Sequence, residues 1–279
     1  MSEVLPQVLP SRPQRTAMSD TDLVRLDLRD HVATLTLDDA RRRNAMTPAL
    51  GDALRDAVES LRGNRMVRAV VLTGAGEVFS AGGDLKMLER LRTEGFKQAR
   101  DFMLDFYARY LHVTTLEVPV IAAVRGAAIG AGLCVAMACD LCVVDERARL
   151  ALNFVRLGLH PGMGATYLTP HRVGAQRAAE LLLTGRYFDG AEAARMGMCL
   201  EAVAGDEVLG RAQEIAQQIA ANAPLAVRAL TAEMRLDRAA LQRALHAEAF
   251  HQAESYSSRD LGEGLAAAVD RRPASFVGE

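Results

Sequence analysis

Two stretches of small residues offer chemistry from the backbone rather than from side chains. Residues 119–140 read PVIAAVRGAAIGAGLCVAMACD, and residues 70–86 read VVLTGAGEVFSAGGDLK. In each, an apolar strand leads to a turn of Gly and Ala that opens a helix. N–H groups at a helix start have no intrahelical partner, and small residues leave them uncovered. They suit a phosphate, or a carbonyl oxygen that gains negative charge during reaction. Two such turns, if they meet, would hold an enolate between them. Each turn alone reads equally well as a tight turn that needs small residues for packing. TGAGEVFSAGG lacks the GxGxxG spacing of a dinucleotide-binding turn.

The side chains are less telling. Cys134, Cys139, Cys142 and Cys199 are the chain's four cysteines. Three lie in apolar sequence, which fits buried reduced thiols and a cytoplasmic protein. Cys139 and Cys142 form a CxxC, but no second ligand pair accompanies it and CDLCVV reads as a strand, so no metal is assigned. His31, His171, His246 and His251 have only surface or helix contexts.

The elements that must position the two turns are legible as an α/β pattern. Residues 22–37 alternate apolar and polar around a turn and read as a β-hairpin. Thr47-Pro48 opens a helix whose face carries Leu50, Ala53, Leu54, Ala57, Val58 and Leu61. A strand is expected over 67–73, a helix from Asp84 to Arg92, and a longer helix over 96–112 with Phe102, Phe106 and Tyr110 as packing residues. A strand over 119–124, a helix over 130–139 and strands over 141–145 and 149–152 follow. Helical patterns dominate from 174, with Asp189 capping one helix and others over 206–221, 224–236, 238–256 and about 260–271. Repeated strand–strand–helix units followed by a helical tail imply one α/β core over 22–205 and a C-terminal helical region over 206–279 of the same unit. Residues 1–21, with three prolines and little periodicity, read as a disordered arm without a secretory core. Either Met1 or Met18 suits as the start.

The chain has 279 residues, 50% apolar and 24% charged, with a net charge of −2. That balance speaks against a nucleic-acid binder, and no apolar run is long enough to span a membrane.

RRNAMTPAL at 42–50, VLTGAGEVFSAGGDL at 71–85, PVIAAVRGAAIGAGLCVAMACDL at 119–141, RLGLHPGMGATYL at 156–168 and LLLTGRYFDGAEAARMGM at 181–198 together resemble the crotonase (enoyl-CoA hydratase/isomerase) superfamily. The match is collinear over about residues 22–278. The resemblance implies a crotonase-like spiral of ββα units with a C-terminal helical region, assembled as a homotrimer or homohexamer. It implies an acyl-CoA thioester as substrate and no permanently bound cofactor, coenzyme A entering with the substrate. It implies that the backbone N–H groups of Ala81 and Ala131 hold the thioester oxygen. Arg43, Ala45, Gly83, Asp84 and Leu85 would line the coenzyme A site, with Asp84 also suited to cap the next helix.

The chain departs from the pattern where hydratases of this family carry two glutamates. Cys134 stands at the first position and Phe154 at the second. A thiol in an apolar helix has a raised pKa and suits a pocket wall better than a base; phenylalanine transfers no proton. His160, in the LHPGMG turn, is the replacement acid/base that titrates in a useful range, or a turn histidine bonded to backbone. Tyr107, Tyr110, Glu117 and His112 are further candidates that spacing does not place. The expected activity is acyl-CoA isomerase, decarboxylase or thioester hydrolase chemistry rather than simple hydration. A non-catalytic acyl-CoA-binding or assembly protein, and a true hydratase with an atypical acid/base, are the alternatives.

Overall fold

The computed structural model describes residues 23–279. The N-terminal arm expected at 1–21 lies outside the described residues. The chain opens with the antiparallel hairpin β1 (Val24–Arg29) and β2 (Val32–Leu37). Its turn, Asp30-His31, has φ of 47° and 68°. Two left-handed residues give a turn whose twist matches the strands it joins. Helix α1 (Pro48–Leu61) follows, with Thr47 Oγ1 accepting from the Leu50 N–H and proline in the first turn. Leu50, Leu54, Val58 and Leu61 are its buried stripe.

Strand β3 (Ala69–Gly74) returns parallel to β2, and helices α2 (Leu85–Leu91) and α3 (Phe96–Leu111) lead to β4 (Val120–Val124). Here the chain differs from expectation. Strand β4 does not run directly into the glycine turn; Gly126, at φ 69°, sends it into a second short strand, β5 (Ala127–Ile129), before α4 (Ala131–Ala138). Strands β6 (Leu141–Asp145) and β7 (Arg149–Ala151) repeat the move. Successive circuits thus lay one strand in each of two sheets, ordered β1-β2-β3-β4-β6-β9 and β5-β7-β8, where β8 is Tyr187–Phe188 and β9 is Glu201–Val203. This is the spiral of an α/β crotonase-like fold. Helices α5 (Ala165–Val173) and α6 (Ala175–Thr184), strand β8 (Tyr187–Phe188), helix α7 (Gly190–Arg195) and strand β9 (Glu201–Val203) complete it.

Both faces of the larger sheet are buried at its central strands β3, β4 and β6, so these read as nearly unbroken apolar runs. Val70 and Leu72 of β3 face the main core with α1, α3 and α4. Ala69 and Val71 face helix α8 (Val208–Ala220), packed against Ala212, Ile215 and Ala216. Beyond α8 come α9 (Pro224–Met234), α10 (Arg238–Tyr256) and α11 (Arg259–Asp270). Helix α10 packs along α3 and α5, so the C-terminal segment closes over the spiral. Arg235, between α9 and α10, anchors it. Its guanidinium donates to both Asp140 oxygens at 2.7 and 2.6 Å, to Thr114 O at 3.1 Å, to Val118 O at 3.0 Å and to Leu116 O.

No helix of the described residues is long and apolar enough to cross a membrane.

Candidate active site

The two small-residue turns meet. Ser80 pairs with Ala128, the Ser80 N–H donating to Ala127 O at 3.0 Å and the Ile129 N–H to Ser80 O at 3.1 Å. Contact this close needs glycine on both sides. A Cβ on Gly132 would lie 2.7 Å from Ser80 Cβ, and one on Gly82 would lie 2.6 Å from Ile129 O. The upstream turn is braced by the RRNAM segment. Buried Asn44 donates to Ala75 O at 3.0 Å and Val78 O at 2.9 Å, and its Oδ1 accepts from the Asp39 N–H at 2.9 Å. Ser80 Oγ donates to Asn44 O at 2.8 Å and accepts from the Gly82 N–H at 3.2 Å. Arg43 and Asn44 both sit at positive φ, 56° and 50°. Asparagine tolerates that region because its side chain bonds locally.

Ala131 is the first residue of α4, and its N–H has no protein partner among the described residues. Ala81 is different. Its N–H donates to Arg43 O at 2.9 Å and is not free for a ligand, which corrects the expectation for this residue. The cause is Gly82, whose φ of 88° breaks the alternation of an extended strand. Ala81 and Asp84 both bond the 43–46 segment, the latter through Met46 O at 3.2 Å, while the Gly83 N–H between them has no partner among the described residues. The free pair is therefore Gly83 and Ala131.

Both line one cavity of about 630 Å³, as do Arg43, Ala45, Ala81, Asp84 and Leu85. Arg43, Lys86 and Arg149 are exposed at this cavity, so its mouth carries cations. Arg41 and Arg42 are not in the lining. Asp84 is the only carboxylate of the lining among the described residues, and its Oδ1 accepts from the Met87 N–H at 2.8 Å as the cap of α2.

Phe154 lines the cavity beside the second turn; a Cβ on Gly130 would lie 3.7 Å from its Cζ and 3.5 Å from Asn153 Oδ1. Cys134 lies behind the wall, fully buried, its Sγ 3.7 Å from Gly162 O. Burial, with the Glu248 charge, pushes its thiol well up, so it is no base. His160 is not at the cavity, which corrects its assignment as acid/base. It lines a separate hollow with His251 and Glu254, its Nδ1 2.7 Å from Pro161 O and its ring 4.9 Å from that of His251. Its backbone N–H and C=O are held by Ser255 and Gln252, which fixes the ring outside. Partial burial lowers its pKa.

Of the further candidates, Tyr107 alone reaches the site. Its hydroxyl donates to Gln252 Oε1 at 2.8 Å in the cavity wall. Tyr110 instead donates to Thr47 O at 2.7 Å, His112 pairs with Glu59, and Glu117 lies 3.7 Å from Arg228. Sequence reasoning missed Gln252 and Tyr256 of α10, which line the cavity, and Glu248 beneath it. The readable signal is a buried helical stripe, Leu245, Ala249, Ala253 and Tyr256, interrupted by the polar Glu248 and Gln252. Glu248 accepts from the Gly164 N–H at 2.7 Å, the Thr166 N–H at 2.8 Å and Thr166 Oγ1 at 2.6 Å, holding the start of α5. Burial outweighs those donors and raises its pKa to about 7.

All four cysteines are free and buried. Burial pushes Cys139 up to about 12, and Cys142 is raised by a hydrogen bond with the Cys199 thiol and by burial. No cluster of three His, Cys, Asp or Glu suited to a metal occurs among the described residues.

A spiral of two sheets with paired N–H donors at a cavity defines a crotonase-type protein. The sequence profile described as enoyl-CoA hydratase/isomerase matches residues 27–279, and the chain belongs to that family. It is 38% identical over 261 residues to "Probable enoyl-CoA hydratase EchA14" of Mycobacterium tuberculosis, covering 91% of this chain and 100% of that one. Among solved structures it is similar to EchA1_1 of Mycobacterium paratuberculosis, with TM-score 0.79 and 31% identity over 93% of this chain and 100% of that one. It is also similar to an enoyl-CoA hydratase/isomerase of Pseudoalteromonas atlantica, with TM-score 0.79 and 28% identity over 91% and 100%.

Proposed function

We propose that the protein is an acyl-CoA-processing enzyme that stabilises a thioester enolate between the N–H groups of Gly83 and Ala131. The carrying observation is that these two N–H groups are unpartnered and line one cavity. An enolate places its charge on the thioester oxygen, and donors fixed there need no reorganisation as that charge develops. Arg43, Lys86 and Arg149 suit the phosphates of coenzyme A, with Ala45, Asp84 and Leu85 beside them. No resident cofactor is needed. The active unit is a homotrimer or homohexamer, with 22–205 as its core and 206–279 as its closing helices.

Hydration needs groups that activate a water and protonate carbon. Phe154 and the buried Cys134 supply neither, and Asp84 is engaged as a cap. Decarboxylation is favoured, because the departing carboxylate of the substrate itself generates the enolate; isomerisation and thioester hydrolysis come after it, since each needs an acid/base other than Cys134 and Phe154. Among the described residues the lining holds no histidine and no carboxylate beyond the capping Asp84, which also supports a second reading, an acyl-CoA binder without turnover.

The test is a turnover panel with crotonyl-CoA, a malonyl-type thioester and saturated acyl-CoAs, repeated with Ala131→Pro. Proline is accommodated at the first helical position, where it replaces the N–H with a ring methylene that also fills the oxygen's place. Turnover should fall by about 10²–10³ with the fold retained. Robust hydration of crotonyl-CoA by the parent protein would sink the proposed chemistry. Binding without turnover across the panel would establish the second reading.

A further inference from the structure

The polar groups in the cavity wall are not spread evenly. Tyr107 of α3 and Gln252 and Tyr256 of α10 stand together among Met103, Phe106 and Met163. All three are nearly inaccessible, at 1%, 2% and 2% exposure. Buried polar groups are ordinarily paired with strong partners. Tyr107 is, through Gln252 Oε1, and Gln252 Nε2 donates to His160 O at 2.8 Å. Tyr256 is not. Its hydroxyl has only the Met103 thioether, at 3.3 Å. A thioether is a weak acceptor, and the phenol retains its donor capacity for a better one. Gln252 Nε2 keeps a second hydrogen. The wall is held open for these groups by Gly162, where a Cβ would lie 2.5 Å from Tyr107 Oη and 2.6 Å from Gln252 Nε2.

The charge around this patch sets the kind of acceptor. Arg43, Lys86 and Arg149 are exposed at the mouth, whereas Tyr107, Gln252 and Tyr256 are buried in the wall. Burial, and after it the Glu248 carboxyl, raise the pKa of Tyr107. Both phenols have raised pKa values, chiefly through burial, and stay protonated donors. A second carboxylate here would be buried without a counter-charge, which is strongly unfavourable.

We infer that the Tyr107–Gln252–Tyr256 wall is a specificity site for an acyl chain carrying an uncharged oxygen, a hydroxyl or carbonyl, which accepts from Tyr256. This inference deepens the acyl-CoA reading above and rests on it. A plain alkyl chain leaves the Tyr256 hydroxyl with its thioether. An oxygenated chain of the same length gains a hydrogen bond in a desolvated wall, worth about tenfold in affinity.

Calorimetric binding of four-carbon coenzyme A esters tests it: butyryl, 3-hydroxybutyryl, 4-hydroxybutyryl and succinyl. At least one hydroxylated ester should bind about tenfold more tightly than butyryl-CoA, and succinyl-CoA should bind more weakly than that ester. Tyr256→Phe should abolish the preference, read as the ratio of hydroxylated-ester to butyryl-CoA affinity. Gln252→Leu, with thermal unfolding measured alongside, should reduce it. Equal affinity for all four esters, or a preference that survives Tyr256→Phe, overturns the inference and leaves the acyl-CoA reading standing. Tightest binding of succinyl-CoA overturns the uncharged acceptor. Binding of no ester overturns the acyl-CoA reading itself and the inference with it.

Discussion

At the scale of single residues, the site depends on which groups are already engaged. The Ala81 N–H is used by Arg43, so Ala81→Pro should damage the fold of the turn, whereas Ala131→Pro removes a ligand contact. Cys134, expected from the sequence as a possible catalytic position, lies outside the cavity and its thiol is held protonated. Cys134→Ala should therefore leave kcat within about twofold, measured on whichever ester turns over; a much larger fall would give the thiol a chemical role. Gly162 is the more sensitive position. A methyl there overlaps both Tyr107 and Gln252, so Gly162→Ala should lower stability by about 1–3 kcal/mol and disturb acyl binding. Denaturant unfolding and ester affinity together check both effects.

At the scale of elements, the fold was most legible where local chemistry and tertiary demand agree. Helix α1 could be read from Thr47-Pro48 and its Leu50–Leu54–Val58–Leu61 stripe, because a cap and a periodic face are local signals. Helix α2 followed from Asp84 and α7 from Asp189, each accepting from an N–H three residues on. Strand β5 was not legible: at three residues it carries no period, and only the Gly126 turn and pairing with β7 define it. Helix α5 was hidden by Pro170 inside it. In the site, Ala131 was readable as a helix start, but Gly83 was missed in favour of Ala81 because the reversal at Gly82 is a backbone event. The α10 contribution was missed because its partners, α3 and α5, are far away in sequence. Arg235 shows what such distant joints carry. Arg235→Ala strips donors from three carbonyls and a partner from Asp140, and should cost about 3 kcal/mol, read as a lower denaturation midpoint.

For the whole molecule, Glu248 makes folding respond to pH. Its folded pKa, about 7, lies above the ordinary carboxylate value of 4.5 because of burial. A group raised in this way contributes its full stability below about 4.5, loses it as pH rises to about 7, and is level above that. The loss is of order 3 kcal/mol. Other carboxylates, such as Glu263, held down at about 2 by Arg272, act in the opposite direction at lower pH. The comparison that isolates Glu248 is therefore the stability of the parent protein minus that of Glu248→Gln between pH 4.5 and 8. The difference should fall with pH; a flat difference would deny Glu248 this role. The buried thiols carry a different consequence. Since all four are enclosed and none lies on the surface, a thiol reagent meets no fast background reaction. Each modification event records one opening of the interior, at α4, at β6 or beside β9. The molecule thus carries its own clock for local unfolding, readable by mass spectrometry as the mass the reagent adds.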